Sequence, residues 1–167
     1  MATGPLGMSA AGLQVLEKTP YLPPAVARQL VRSHLLPDPK LAEGRLLSDK
    51  AIMATSMMDT SDDLYTSLET LSAASRVGFE INLDRIALPA ALESAGKAFK
   101  TSPWSYFLYG GEDYQLLFTV DPKNTMKALK AIPTSFIIGN VVSRARGIRV
   151  LKGGRDWSGR DLRYKHL

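Results

Sequence analysis

Apolar residues recur along this chain with two spacings, and these spacings predict its helices and strands. The most regular helical pattern covers residues 62–76, where Leu64, Leu68 and Leu71 lie on one face. Gly78 is expected to end this helix. The acidic residues at its start suit the positive end of the helix dipole. This segment is therefore the strongest helix prediction in the sequence.

A second helix prediction concerns residues 10–18, with Ser9 as its N-cap and with Leu13 and Leu16 facing the interior. Pro24 suits the first turn of the helix that follows. The predicted helices beyond these are residues 24–36, 41–49 and 89–100, and the segment PKNTMKALKAI.

Strands are predicted between the helices. Residues 51–58 form a short apolar run without charge, which indicates a buried strand. In YQLLFTV, Tyr114, Leu116 and Phe118 alternate with their neighbours and are expected to share one face. The segments FEINL, SFIIGNVV and GIRVLKGG are also predicted strands, and a loop that contains Pro103, Trp104 and Tyr109 is predicted before GGEDYQLLFTV. Helices and strands in irregular alternation favour a layered α+β sandwich with a mixed sheet over a doubly wound sheet.

Composition limits what such a domain can do. The chain has 167 residues, enough for one domain, and lacks cysteine, which excludes disulfides and thiolate metal sites. His34 and His166 cannot form a zinc site alone. No apolar run approaches the ~20 residues that span a bilayer, and no signal peptide is recognisable at the N-terminus. We therefore expect a cytoplasmic protein without a membrane partner.

Positive charge is concentrated near the C-terminus. Residues 144–167 contain eight basic and two acidic residues, a net charge of +6 in a chain whose total is +5. This is consistent with an exposed solvated face or with attraction to a phosphate group. No segment resembles a nucleic-acid-binding module, so nucleic acid is not an expected partner.

A dense acidic cluster, Asp59-Thr60-Ser61-Asp62-Asp63, separates a predicted strand from a predicted helix. At such a corner Asp59 and Asp62 can converge on one point, which is the ligand set that Mg²⁺ prefers. The alternative is a helix N-cap with surplus surface charge. An EF-hand is excluded, because its glycine and closing glutamate positions hold Leu64 and Thr70.

Three further segments each allow two interpretations. Gly110-Gly111-Glu112-Asp113-Tyr114 is either a hairpin turn with exposed acids or a close approach to a ligand. The glycine-rich segment from Gly4 to Gly12 is a close helix crossing or a phosphate cradle, but not a Walker loop. The tail Arg163-Tyr164-Lys165-His166-Leu167 is a frayed terminus or a cover for a flat ligand ring.

Taken together, these segments resemble the motifs of thiamine-monophosphate kinases. MMDTSDDL is similar to the Met-(Ile)-Asp-Ile-Ser-Asp-Gly-Leu motif of that family, and YGGEDYQLLFTV to its Gly-Gly-Glu-Asp-Tyr-Glu-Leu-Leu-Phe segment. GPLGMSAAGL resembles the family's Gly-Thr-Leu-Gly-Asp-Ser-Ala-Ala-Gly-Leu helix start, and YKHL its closing aromatic-x-His-Phe. The resemblance extends from Gly4 to Leu167 and corresponds to the C-terminal half of such an enzyme. It implies the layered α+β fold of the aminoimidazole-ribonucleotide-synthetase-like superfamily.

The resemblance also implies a reaction and a role for each matching residue. The family transfers a phosphoryl group from ATP to thiamine monophosphate, with Mg²⁺ as cofactor. Asp59 and Asp62 would be metal ligands, and Ser61 would contact ATP. Glu112 would hold the thiamine end of the substrate, and Tyr164 would stack near it. Such a transfer depends mainly on neutralising charge, and a cationic thiazolium favours a carboxylate and an aromatic face.

Three positions differ from the family pattern: Asp63 stands in place of glycine, Met8 in place of aspartate and Leu167 in place of phenylalanine. The expected partner is the N-terminal kinase half, which carries most of the family's Mg²⁺ carboxylates and nucleotide site, and a full-length homodimer is possible. We expect the isolated chain to be inactive. The alternatives are a non-catalytic remnant that binds a phosphorylated ligand and a superfamily member with another substrate.

Overall fold

The computed structural model describes residues 1–18, 20–50 and 52–157. Within these ranges the chain forms seven α-helices and six β-strands. The helices are α1 (Met8–Lys18), α2 (Pro24–Leu35), α3 (Leu41–Ser48), α4 (Leu64–Ser75), α5 (Ala90–Phe99), α6 (Pro103–Tyr109) and α7 (Thr125–Ala131). The strands are β1 (Ala54–Asp59), β2 (Val77–Asn82), β3 (Leu116–Val120), β4 (Gly139–Ser143), β5 (Ile148–Lys152) and β6 (Arg155–Asp156).

The described strands form two sheets. β1 and β3 are antiparallel, in a register that sets Asp59 opposite Leu116. The larger sheet has the order β4–β2–β5–β6, and β2 runs antiparallel to β4 and parallel to β5. Helix α4 packs against β2, and its apolar face joins Phe79 and Ile81 in the main core. The mixed sheet with packed helices confirms the predicted α+β class.

Helix α4 confirms the strongest helix prediction. Leu64, Leu68 and Leu71 are buried, as their spacing indicated. The helix begins later than predicted because Asp63 is its N-cap. It ends at Ser75 with the left-handed Arg76 (φ 55°) as its C-cap, whereas Gly78, which was expected to end it, lies inside β2. The corner before α4 is therefore fixed by a capped helix on one side and a paired strand on the other.

Helix α1 turns a different face inward from the one predicted. Leu13 and Leu16 are 41% and 45% exposed, so the prediction that they face the interior was wrong. The cause is the close crossing of α1 and α2, where a Cβ on Gly12 would lie 2.1 Å from the Leu30 carbonyl oxygen. A small residue must occupy this contact. The buried face of α1 consists of Met8, Ser9, Ala11, Gly12 and Val15, and Leu13 and Leu16 lie outside it.

Three smaller predictions also need correction. β1 is half-exposed, with alternating burial, because it lies in a two-stranded sheet. The Pro103–Tyr109 segment, predicted as a loop, is helix α6, and burial of its aromatic side chains stabilises it. Tyr114 precedes β3 with a φ of 50° and is exposed, so it does not share a strand face with Leu116. In the described ranges no helix has both the length and the apolar character that crossing a membrane requires.

Candidate functional site

The acidic corner between β1 and α4 divides into exposed and buried residues. Thr60 is buried, and its backbone N and its Oγ1 both donate to the Gln115 carbonyl oxygen, at 2.8 and 3.1 Å. Asp59, Ser61 and Asp62 are exposed. Thr60 therefore ties the corner to the segment before β3, while its neighbours remain available to a ligand.

Asp63 belongs to the helix rather than to the exposed surface. Its Oδ1 accepts from the backbone N of Thr66 at 2.7 Å, and its Oδ2 accepts from the Thr66 Oγ1 at 2.8 Å. Both carboxylate oxygens are thus engaged at the N-terminus of α4, where negative charge is favourable. The N-cap interpretation of the cluster is correct for Asp63. Neither the hydrogen bonds nor the ion pairs of the described residues engage the carboxylates of Asp59 and Asp62.

The Gly110–Tyr114 segment lies directly on this corner. The backbone N of Glu112 donates to the Ser61 carbonyl oxygen at 2.8 Å. Gly111 lies so close to Asp62 that a Cβ on it would be 1.6 Å from the Asp62 carbonyl oxygen. Glycine is needed here for close approach, since any side chain would separate the two backbones. The two acidic motifs, about fifty residues apart in sequence, therefore form one joined surface.

Asp113 points away from that surface and joins it to α1. It is buried, and its carboxylate accepts from the backbone N of Gly7 and, at 2.9 Å, from that of Ser9. Burial raises the pKa of the Asp113 carboxyl to about 7, although the N–H groups of Ser9, Gly7 and Met8 act to lower it. This structural role was not predicted. Ser9, predicted as the N-cap of this helix, instead lies in its first turn, and Asp113 caps the helix from outside.

Glu112 turns to the solvent side of the same loop. Its φ of 63° is left-handed, which is uncommon for a residue with a side chain, and its side chain is 62% exposed. Glu112 and Asp113 are adjacent in sequence, but the backbone turn places one carboxylate outside and the other inside. The exposed set is thus Asp59, Ser61, Asp62 and Glu112.

Aromatic side chains lie beside this surface. The rings of Tyr65 and Tyr109 are 5.6 Å apart, and those of Tyr109 and Trp157 are 6.1 Å apart. Tyr65 is in the first turn of α4, and Tyr109 directly precedes Gly110. Tyr164, which the resemblance assigned to the substrate, lies outside the described residues.

The corner presents two exposed carboxylates, those of Asp59 and Asp62. Within the described ranges, no group of three or more histidine, cysteine, aspartate or glutamate side chains is arranged to hold a metal ion. Mg²⁺ is commonly bound by one or two carboxylates, with water and phosphate oxygens completing its shell. Asp59 and Asp62 fit that partial role, because both are exposed hard-oxygen donors.

Comparison with known proteins places the chain in a family. Residues 1–152 match the model for "AIR synthase related protein, C-terminal domain". The chain belongs to this family. The matched range includes both acidic motifs and the glycine-rich start of α1, so the joined surface lies wholly inside the family domain.

Curated relatives of this AIR-synthase-related domain are thiamine-monophosphate kinases. The enzyme of Buchnera aphidicola subsp. Schizaphis graminum is 34% identical over 155 residues, which cover 90% of this chain and 46% of the relative. The enzyme of Escherichia coli K12 is 33% identical over 168 residues, which cover 95% of this chain and 50% of the relative. The chain thus spans about half the length of these relatives.

A solved structure resembles the domain over nearly its whole length. AaThiL complexed with AMPPCP and TMP superposes with a TM-score of 0.74 at 28% identity. The match covers 98% of this chain and 50% of AaThiL. The agreement extends the family assignment from the sequence to the fold.

Proposed function

We propose that this chain is the C-terminal, substrate-side domain of a thiamine-monophosphate kinase. The whole enzyme would transfer the γ-phosphoryl group of ATP to thiamine monophosphate and so form thiamine diphosphate. The observation that carries the proposal is the joint between the two acidic motifs, which gathers Asp59, Ser61, Asp62 and Glu112 on one exposed surface. The names of the relatives and the AMPPCP and TMP of AaThiL support the choice of substrates.

Each exposed residue has a role in the proposal. Asp59 and Asp62 would hold Mg²⁺, which would neutralise phosphate charge during the transfer. Ser61 would donate a hydrogen bond to ATP. Glu112 would face the cationic ring of the substrate, because its carboxylate is exposed beside the corner. The described chain thereby supplies charge and positioning rather than a covalent nucleophile.

The proposal includes partners. An N-terminal half would supply further Mg²⁺ ligands and most of the nucleotide site, as the resemblance to the kinase family implies. The curated relatives are about twice as long, which leaves room for such a half. A homodimer of the whole enzyme and a cytoplasmic location remain predictions.

The test joins this chain to the N-terminal half of the E. coli relative and measures thiamine diphosphate formation with ATP and Mg²⁺. We expect turnover that Asp62→Asn abolishes and that Ser72→Ala, a change on the far end of α4, preserves. Full turnover in Asp62→Asn would overturn the metal role.

A second candidate function is a non-catalytic binding domain. Calorimetry of the chain alone with thiamine monophosphate, compared with turnover of the fusion, distinguishes it from the kinase domain. The observation that supports the binding domain is that only two of the three corner carboxylates, those of Asp59 and Asp62, are exposed, whereas Asp63 caps α4. Binding heat without turnover in the folded fusion would favour that candidate. A folded fusion without turnover, together with no heat from any thiamine phosphate, would overturn both.

A further inference from the structure

Glu112 has a fixed backbone conformation, but its long side chain extends into solvent. The backbone is set by its left-handed φ and by the hydrogen bond to Ser61. An exposed glutamate side chain otherwise samples many rotamers, and fixing it on binding costs entropy. Recognition by Glu112 is therefore stronger if a neighbour already holds its carboxylate in place.

His34 lies beside that carboxylate. Its Nδ1 lies 3.9 Å from the Glu112 Oε2 and 3.0 Å from the Ser9 Oγ. The His34 side chain is only 17% exposed, and it lies in the last turn of α2. A Cβ on Gly12 would be 3.1 Å from the His34 Cβ, so the α1–α2 crossing fixes the base of the side chain.

Ser9 fixes the orientation of the imidazole through Nδ1, the same ring nitrogen that faces Glu112. It is fully buried, and its backbone N donates to Asp113. The contacts therefore run from Asp113 through Ser9 and His34 to Glu112, and they return to Asp113 through the peptide bond. Asp113 holds the loop against α1, and the preceding residue, Glu112, approaches α2.

We infer that His34 is a positioning residue that orients the Glu112 carboxylate toward the cationic ring of the substrate. The inference rests on the proposed function only for what Glu112 recognises. The thiamine ring is remote from the reacting phosphate, so loss of this orientation should weaken binding and leave the chemical step intact. In the whole enzyme KM would rise while kcat stays nearly constant.

The binding test uses calorimetry of thiamine monophosphate with five variants. His34→Ala is expected to weaken binding by up to roughly fivefold, the scale of a contact with an exposed charged group. His34→Asn, which can place an N–H near the Nδ1 position, should stay within about twofold of the unmodified chain. In the Glu112→Gln background, His34→Ala should add nothing, because the two residues act as one unit. Arg32→Gln, an exposed change on the same helix, is the matched control.

A ligand-free measurement keeps the inference separate from the proposed function. NMR couplings of the Glu112 side chain should report one dominant rotamer in the unmodified chain and averaging in His34→Ala. One rotamer without any binding heat would reject the proposed substrate and retain the role of His34. Averaging in both proteins, equal losses in His34→Ala and His34→Asn, or additive effects with Glu112→Gln would overturn the inference.

Discussion

Gly111 provides a direct test of the joint between the two acidic motifs. In Gly111→Ala the new Cβ would lie 1.6 Å from the Asp62 carbonyl oxygen and 2.8 Å from its carbon. Ordinary contact begins near 3.4 Å, so the two backbones must part by about 2 Å. The 2.8 Å hydrogen bond from Glu112 to Ser61 would then be lost.

The expected destabilisation combines that hydrogen bond with the strain of overpacking, roughly 2–4 kcal/mol of unfolding free energy. Urea denaturation measures it. Gly44→Ala is the matched control, because its Cβ would meet only Leu116 Cδ1 at an ordinary 3.6 Å. As a helix-interior change in α3, it should stabilise the protein by about 0.5–1 kcal/mol.

Gly111→Ala should also lose thiamine monophosphate binding at temperatures where it stays folded. A shift of about 2 Å between Asp62 and Glu112 is several times the ~0.5 Å that a binding site tolerates. A variant as stable as the unmodified chain, with unchanged binding heat, would refute the steric reasoning.

Two further predictions concern the buried acidic residues. Asp113 has its folded pKa raised from 3.8 to about 7, so its stabilising contribution is full below pH 3.8 and is lost as the pH rises through 7. Relative to Asp113→Asn, the unfolding free energy should fall by up to about 4 kcal/mol across that window in urea titrations, and a constant or rising difference would contradict the prediction. Asp63→Ala should cost about 1 kcal/mol, because the Thr66 hydrogen bonds are lost, and Asp63→Asn should cost less. Thermal denaturation compares the two, and equal losses would count against capping.

Local pattern was enough to predict helix α4 and the α+β class. Leu64, Leu68 and Leu71 recur at helical spacing and are buried, so periodicity and packing agree there. Leu13 and Leu16 have the same kind of spacing, but the close contact at Gly12 decides which face of α1 is covered. That contact is a tertiary property that no local window contains.

In the candidate site, too, the sequence predicted part of the arrangement, and tertiary contacts determine the rest. The motifs identified the acidic residues, but chemistry alone cannot distinguish Asp62 from Asp63, or Glu112 from Asp113. The backbone path makes the distinction, since an N-cap turns Asp63 inward and a left-handed residue turns Glu112 outward. His34 gave no sequence signal, because its relation to Glu112 arises only where α2 crosses α1.

The joint at Ser61, Asp62 and Gly111 is built from main-chain atoms, while the groups that face solvent are side chains. The backbone atoms of these residues therefore hold the two segments together, whereas their side chains would determine which ligand binds. A descendant of this domain with other side chains at positions 59, 62 and 112 would keep the same scaffold. Such a scaffold lets one architecture acquire a new small-molecule partner by surface substitution alone.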